Sequence, residues 1–183
     1  SLGADGCRGE PGSFHRISPD LTKASKEKLG LARKTNLQWA TVYSFAESVK
    51  KPGLYWAGTD DGNVQVTRDA GKSWTNVRAN VPRTLVPEGT WVSRVEPSHF
   101  EAGTAYVSFD GHRRMDFKPY VLKTTDFGRT WTSVASNLPS RSPVYVVKED
   151  LKNPSLLFVG NEVGAFASVD AGATWRRLEG LPT

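Results

Sequence analysis

Short apolar segments alternate with turn residues along most of the chain, and they recur in the same order three times. Each unit opens on an alternating or apolar segment, at 42–47, 92–96 and 144–149. A turn rich in Gly or Pro follows, and then a second apolar run, at 54–58, 104–108 and 156–160. Segments of this length, bounded by turn residues, predict β-strands.

One octapeptide, Ser/Thr-x-Asp-x-Gly-x-Ser/Thr-Trp, stands in each unit between a predicted third and fourth strand, at 67–74, 124–131 and 168–175. The Asp can accept hydrogen bonds from nearby backbone N–H groups, and the Gly tolerates a positive φ. The Trp covers the turn with apolar area. We therefore predict a structural role for the repeated residues, and their identical recurrence argues against a catalytic or metal-binding role. These residues are Asp69, Gly71, Trp74, Asp126, Gly128, Trp131, Asp170, Gly172 and Trp175.

Four strands per unit predict an all-β chain of about three β-propeller blades, each a four-stranded antiparallel sheet, with one extra N-terminal strand. The predicted blades span 38–79, 90–135 and 142–183. Residues 1–37 are predicted to hold the remnant outer strand of a preceding blade, with Phe14 in the place of the Trp, and a long linker. Asp20 or Ser25 could cap a short helical turn there.

Composition narrows the classes of partner. The chain has 183 residues and a net charge of +5, with a pI near 9.4, but its basic residues are scattered. We therefore expect no nucleic-acid partner. No apolar run is long enough to cross a bilayer, so no membrane partner is expected, and no signal peptide is recognisable. The sequence does not decide the cellular compartment, and a secreted or periplasmic parent protein is one possibility. The single Cys7 can form no internal disulfide.

The three octapeptides resemble those of bacterial BNR or Asp-box repeat proteins, a group that includes sialidases, xyloglucanases and the propellers of sortilin-type receptors. The resemblance covers about 43–183. It implies a propeller with more blades than three, so the expected partners are further copies of the chain or the missing blades of a longer parent. It also implies that ligands bind opposite the Asp boxes, on the loops between second and third strands.

Those loops lie at 59–62, 110–118 and 161–164, and the second of them is part of an insertion in the middle blade at 110–119. Insertions in one repeat commonly map to a working face. The candidate ligand-binding residues on and near this face are Asp110, His112, Arg113, Arg114, Trp56 and Tyr120, of which Trp56 or Tyr120 could stack on a sugar.

Two functions remain open. A glycoside hydrolase needs two facing carboxylates, which Asp60 or Asp61 with Glu162 or Asp116 could supply. Each of these acids can equally be a turn residue. The other function is a non-catalytic module that binds a glycan or a protein, and the sequence favours it because no complete catalytic set is visible.

Other chemistry is weakly supported. His15, His99 and His112 lack metal-ligand spacing, and no phosphate-binding loop is present, so neither a metal nor a cofactor is expected. Glu47, Glu96 and Glu149 recur near the ends of the first strands. They could form a ring of acids in the central channel or could simply end the strands in polar residues.

Overall fold

The computed structural model describes residues 15–23 and 41–180. Its twelve strands form three antiparallel four-stranded sheets, each built from four consecutive strands. The first sheet contains β1 (Val42–Glu47), β2 (Tyr55–Thr59), β3 (Val64–Thr67) and β4 (Thr75–Asn76). The second contains β5 (Trp91–Pro97), β6 (Ala105–Asp110), β7 (Tyr120–Thr124) and β8 (Thr132–Ser133). The third contains β9 (Val144–Glu149), β10 (Leu157–Asn161), β11 (Gly164–Ser168) and β12 (Arg176–Arg177).

The three sheets are blades of a β-propeller, as the sequence predicts. The innermost strands of neighbouring blades lie against each other, β1 against β5 and β5 against β9. One apolar core lies between the first two blades and contains Trp56, Val64, Phe109 and Trp131, and a second lies between the last two and contains Tyr106, Val147 and Trp175. The blade boundaries predicted from the sequence stay predictions, although every strand lies within its predicted blade.

The Asp boxes pin the turns between the third and fourth strands. In the middle blade, Asp126 accepts hydrogen bonds from the N–H and hydroxyl of Thr130 at 2.9 and 2.6 Å, and from the hydroxyl of Thr124 at 2.8 Å. The other two boxes repeat this pattern with the same donors to Asp69 and Asp170. These bonds hold the pKa of each box Asp at about 2, the side-chain bond from the Ser or Thr four residues later being the main cause.

Each box also ties its turn to the turn between the first two strands of its own blade. The residue before the box Gly has a positive φ, and its N–H donates to that turn, as Phe127 does to the carbonyl of Gly103 at 2.9 Å. Ala70 and Ala171 make the equivalent bonds to Gly53 and Ser155. A left-handed non-Gly residue is costly and persists only where its surroundings fix it. The sequence pattern, which leaves this position variable, gives no sign of it.

The box Gly is where one blade meets the one before it. A Cβ on Gly128 would come within 2.7 Å of Val77, and one on Gly172 within 2.7 Å of Val134. Val77 and Val134 each stand three residues after the Trp of the preceding box. Only Gly permits this close approach, so the same residue serves the turn and the packing of blades.

The N-terminal segment fills the same role for the first blade. A Cβ on Gly71 would meet the backbone of Ile17, which stands three residues after Phe14, and the carbonyl of Ile17 accepts a hydrogen bond from the indole of Trp74 at 3.0 Å. Leu21 is buried, and Asp20 accepts a hydrogen bond from the N–H of Thr22 at 2.9 Å. Residues 15–18 form no strand, while Phe14 and Ser25 lie outside the described residues. Ile17 thus takes the predicted outer-strand position without strand pairing.

Among the described residues, the inner strand of the first blade is incompletely covered. Strand registers make Val42 and Phe45 equivalent to Val92 and Val95 and to Val144 and Val147. The four valines at 92, 95, 144 and 147 are fully buried against the blade before them. Val42 and Phe45 are 40% and 50% exposed. The described residues therefore leave the inner part of the interface before the first blade unfilled.

Candidate ligand-binding site

The antiparallel registers place the two kinds of turn at opposite ends of every blade. The first residue of β1 pairs with the last residue of β2, so the loop after β2 lies beside the start of the innermost strand. The Asp boxes follow the third strands and lie at the other end. The predicted ligand loops therefore share one end of the molecule with the first residues of β1, β5 and β9.

Each innermost strand carries a β-bulge at this end. The registers slip at Tyr43 in β1, at Ser93 in β5 and at Tyr145 in β9, which are equivalent positions. A bulge re-aims side chains and often lies beside a functional site. The threefold repetition of the bulge indicates that the propeller uses it to set the shape of this end.

A cavity of about 710 Å³ opens where the three bulges meet. Its lining combines aromatic rings, hydroxyls, one guanidinium and an Asp–His pair, and the contributing residues include Tyr43, Phe45, Trp91, Ser93, Arg94, Asp110, His112 and Tyr145. Tyr43 is 56% exposed and Tyr145 39% exposed. An opening of this size, with exposed rings and a few polar groups, has the composition of a small-molecule site.

Trp91 lies at the centre of an aromatic cluster in this wall. The ring of Tyr43 meets it edge-on at a centroid distance of 4.5 Å, and the guanidinium of Arg113 lies 3.9 Å from its centroid. Such T-shaped and cation–π contacts hold the rings in fixed orientations. The cluster joins the first blade to the insertion of the second.

Asp110 and His112 form a close pair in the same wall. Asp110 is 5% exposed, and its carboxylate contacts the Nδ1 of His112 at 2.5 Å and accepts the backbone N–H of His112 at 2.9 Å. The His112 side chain is 42% exposed. Because both oxygens of Asp110 bind His112, the orientation of the imidazole is fixed from one side.

The rest of the insertion is anchored at several points. Arg114 donates to the carbonyl of Glu88 at 2.6 Å, and Asp116 accepts a hydrogen bond from the hydroxyl of Tyr120 at 2.7 Å. Burial and this bond raise the pKa of Tyr120. Between these anchors stands Met115, 78% exposed and with a φ of 60°. The insertion is thus a braced loop rather than a loose one.

Asp60 and Asp61, the first two candidate catalytic acids, are engaged in hydrogen bonds within and beyond their own turn. Asp60 accepts the N–H of Thr41 at 2.8 Å, and Asp61 accepts the hydroxyl of Thr59 at 2.6 Å and the N–H of Lys23 at 2.6 Å. Both are buried, and they line a second cavity of about 390 Å³ together with Asp110, Arg113 and Arg114. Asp110 and Trp91 border both cavities.

Glu162 and Asp116, the other two acids, also have partners. Glu162 accepts the hydroxyl of Tyr145 at 2.7 Å, and burial together with this carboxylate raises the pKa of Tyr145 to about 12. Glu162 is therefore next to a residue of the larger cavity, and Asp116 closes the insertion. The lining of the second cavity brings together Asp60, Asp61 and Asp110 and contains neither Glu162 nor Asp116. The predicted acid pairs stay a prediction.

Trp56, predicted as a residue that could stack on a sugar, is not accessible to a ligand in the described structure. It is fully buried in the core between the first two blades, where it meets the ring of Trp131 edge-on at 6.4 Å. A β-strand alternates its faces, and the Trp56 side is the one that packs on the next blade. Tyr120 is also buried and contributes its hydroxyl to the brace on Asp116.

The ring of acids does not form from Glu47, Glu96 and Glu149. Strand pairing makes Pro97, not Glu96, the equivalent of the other two. Glu96 and Glu149 are both buried. The carboxylate of Glu96 lies 2.6 Å from the Nζ of Lys148, and that of Glu149 accepts a hydrogen bond from the hydroxyl of Ser98 at 3.0 Å. A one-residue offset moves a side chain to the other face of the sheet, so the three acids do not point together.

Among residues 15–23 and 41–180, no three His, Cys, Asp or Glu side chains lie close enough together to hold a metal ion. No helix within those ranges is long and apolar enough to span a membrane.

The aromatic lining of the larger cavity escaped the sequence reasoning. Tyr43, Trp91 and Tyr145 stand at or next to the start of the three innermost strands, and this recurrence of aromatic residues was the signal that could have found them. The sequence pattern points instead to acids on the loops and gives the strands a structural role, so these rings are not among the predicted site residues.

No family model matches the chain, and no curated protein matches it. Several solved structures are similar to the chain. An ancestral GH74 enzyme is 18% identical with a TM-score of 0.60, over 79% of this chain and 19% of its own. YCF48 bound to D1 peptide is 20% identical with a TM-score of 0.53, over 77% and 42%. The GH74 xyloglucanase from Xanthomonas campestris is 14% identical with a TM-score of 0.52, over 77% and 24%. The chain thus spans less than half the length of each, and the likeness is one of fold.

Proposed function

We propose that this chain is part of an Asp-box β-propeller that binds a neutral glycan in the cavity at the bulged ends of its innermost strands. The observation that carries the proposal is the lining of that cavity, where exposed rings of Tyr43, Phe45 and Tyr145 stand beside hydroxyls and the Asp110–His112 pair. Sugar rings stack on aromatic faces, and their hydroxyls need donors and acceptors at the rim.

Binding without turnover is favoured over hydrolysis by the state of the carboxylates. Hydrolysis needs one acid and one base or nucleophile free to face the scissile bond. Asp60 and Asp61 hold backbone N–H groups, Asp116 braces the insertion and Glu162 binds Tyr145. Hydrolysis remains the second candidate, because GH74 enzymes share the fold.

The test is titration of the ¹⁵N-labelled protein with cellotetraose and with xyloglucan oligosaccharides, followed by NMR and by chromatography of the sugars. We expect shifts centred on Tyr43, Trp91 and Tyr145 and no new sugar products. The variant Tyr43→Ala should weaken binding about tenfold, and Phe127→Ala, which removes a partly exposed ring on the Asp-box face, should not. Product formation that Asp60→Asn or Asp61→Asn abolishes would support the hydrolase instead.

A peptide is the other ligand class to test, because YCF48 has the same fold and has been solved with a bound D1 peptide. Shifts at the cavity with a mixed peptide library, and none with the oligosaccharides, would replace the glycan with a protein ligand.

We further propose that additional blades complete the propeller. The exposed Val42 and Phe45 need a neighbour, while Ile17 and Leu21 already cover the outer part of the same face. If a second copy docked its third blade against the first blade of this one, the outer strand of that blade would occupy the position that Ile17 already fills. Blades from a longer parent chain therefore fit better than a homo-oligomer. Light scattering during size-exclusion chromatography tests this, since a discrete dimer or trimer that Phe45→Ser dissociates would support self-assembly.

A further inference from the structure

The Asp110–His112 pair is the most sharply constrained polar group of the larger cavity. Within that cavity, we infer that His112 is the residue that selects a hydroxyl-bearing ligand, by accepting a hydrogen bond from one ligand hydroxyl at its Nε2. The inference rests on the proposed function, since it assigns the chemistry of the same cavity.

The first step concerns the tautomer of His112. The ring Nδ1 lies 2.5 Å from a carboxylate oxygen of Asp110. Ionised carboxylates only accept hydrogen bonds, so Nδ1 must carry a proton. In a neutral imidazole the other nitrogen, Nε2, is then an acceptor.

The second step concerns the rigidity of the ring. Asp110 is at the buried end of β6, and its second oxygen binds the backbone N–H of His112 at 2.9 Å. The neighbouring Arg113 stacks on Trp91 at 3.9 Å, and the His112 ring lies 6.4 Å from the same Trp. A ligand group therefore meets an acceptor already in place, without an entropic cost of ordering it.

The third step concerns what the cavity otherwise offers. Arg94 is a cation with donors only, the hydroxyl of Tyr145 already donates to Glu162, and the hydroxyl of Ser93 donates to the carbonyl of Val144 at 2.8 Å. The hydroxyls of Tyr145, Ser93 and Tyr43 can still accept a hydrogen bond, but a hydroxyl hydrogen rotates to suit its partner. The Nε2 of His112 is instead an acceptor held in one direction. Because the His112 side chain is 42% exposed, water can replace an absent donor, so the discrimination against ligands without the hydroxyl is that of one neutral hydrogen bond.

The first experiment needs no ligand. Long-range ¹H–¹⁵N NMR of the imidazole reports which nitrogen is protonated. At a pH where the ring is neutral, we expect the Nδ1–H form in the wild type, with Asp110→Asn shifting the ring toward the Nε2–H form. A wild-type ring that is mainly protonated at Nε2 would overturn the inference by itself.

The second experiment is titration with cellotetraose of the wild type and of His112→Phe, which keeps an aromatic ring beside Trp91 but has no acceptor. One hydrogen bond to a neutral partner predicts a three- to tenfold weaker affinity. Met115→Ala, at the exposed tip of the same loop, is the matched control and should change affinity less than twofold.

The outcomes separate the inference from the proposal beneath it. If NMR signals of Tyr43 and Trp91 shift but His112→Phe binds as tightly as the wild type, the role of His112 is contradicted and the glycan site is still supported. If no signal of these residues shifts, both the glycan site and the role of His112 are contradicted, because the ligand class would be wrong. Retained folding of each variant is checked by its amide spectrum.

Discussion

The two ends of the blades differ in how they repeat. At the Asp-box end, three turns repeat the same side chains, the same hydrogen bonds and the same contact between a box Gly and the preceding blade. At the opposite end the bulge and the Val before it repeat, but the bulged residue is Tyr in two blades and Ser in the middle one, and one loop carries an insertion. Repetition at one end and variation at the other indicate that the first end stabilises the fold and the second is free to take on function.

The largest effect should follow from removing a box Trp. Trp131 is buried between the first two blades and meets Trp56. We expect Trp131→Ala to lower the free energy of unfolding by about 3–5 kcal/mol, the range for a buried aromatic ring replaced by Ala. Urea denaturation followed by circular dichroism measures it. Equal stability of variant and wild type would contradict the scaffold role of the box end.

A smaller loss should follow from adding a single methyl group to a box Gly. Gly128 has a φ of 83°, and a Cβ there would press on Val77. Gly180 has a similar φ of 78° but nothing within 4 Å of its Cβ position. Gly180→Ala should therefore lower the free energy of unfolding by about 1–2 kcal/mol, the cost of a left-handed backbone for a residue with a Cβ. Gly128→Ala should lower it further. Equal urea midpoints for the two variants would mean that contact between blades adds nothing.

Acidification should weaken the box end in particular. A pKa of about 2 in the folded state, against an ordinary 3.8, means that the box Asp residues stabilise the fold above pH 4. That contribution is lost as the pH falls from about 4 toward 2. Urea midpoints measured across this range should drop, and Asp126→Asn should flatten part of the slope. A wild-type midpoint that stays constant down to pH 2 would show that the box bonds do not favour the ionised form.

The box end was predictable from sequence because its chemistry is local. Asp126, Gly128 and Trp131 lie within one octapeptide, so their spacing already encodes the turn. The ligand end was not, because its cavity collects a few residues from each of three strands far apart in sequence, together with Asp110 and His112, and a one-residue slip decides which way a side chain points. Glu96 and Trp56 show the consequence: both are placed correctly on strands, yet the register turns them into buried contacts.

The smallest effect should come from the tip of the insertion, and it tests whether variation at this end is tolerated. Met115 has a left-handed backbone, so Met115→Gly would relieve strain in the folded state and add freedom to the unfolded chain. These contributions oppose each other, and the side chain is exposed, so we expect the free energy of unfolding to change by less than about 0.5 kcal/mol. Urea denaturation of Met115→Gly and Gly128→Ala under the same conditions compares their free energies of unfolding directly. A loss near that of Gly128→Ala would mean that the insertion supports the fold, and the division between a stabilising end and a variable end would then fail.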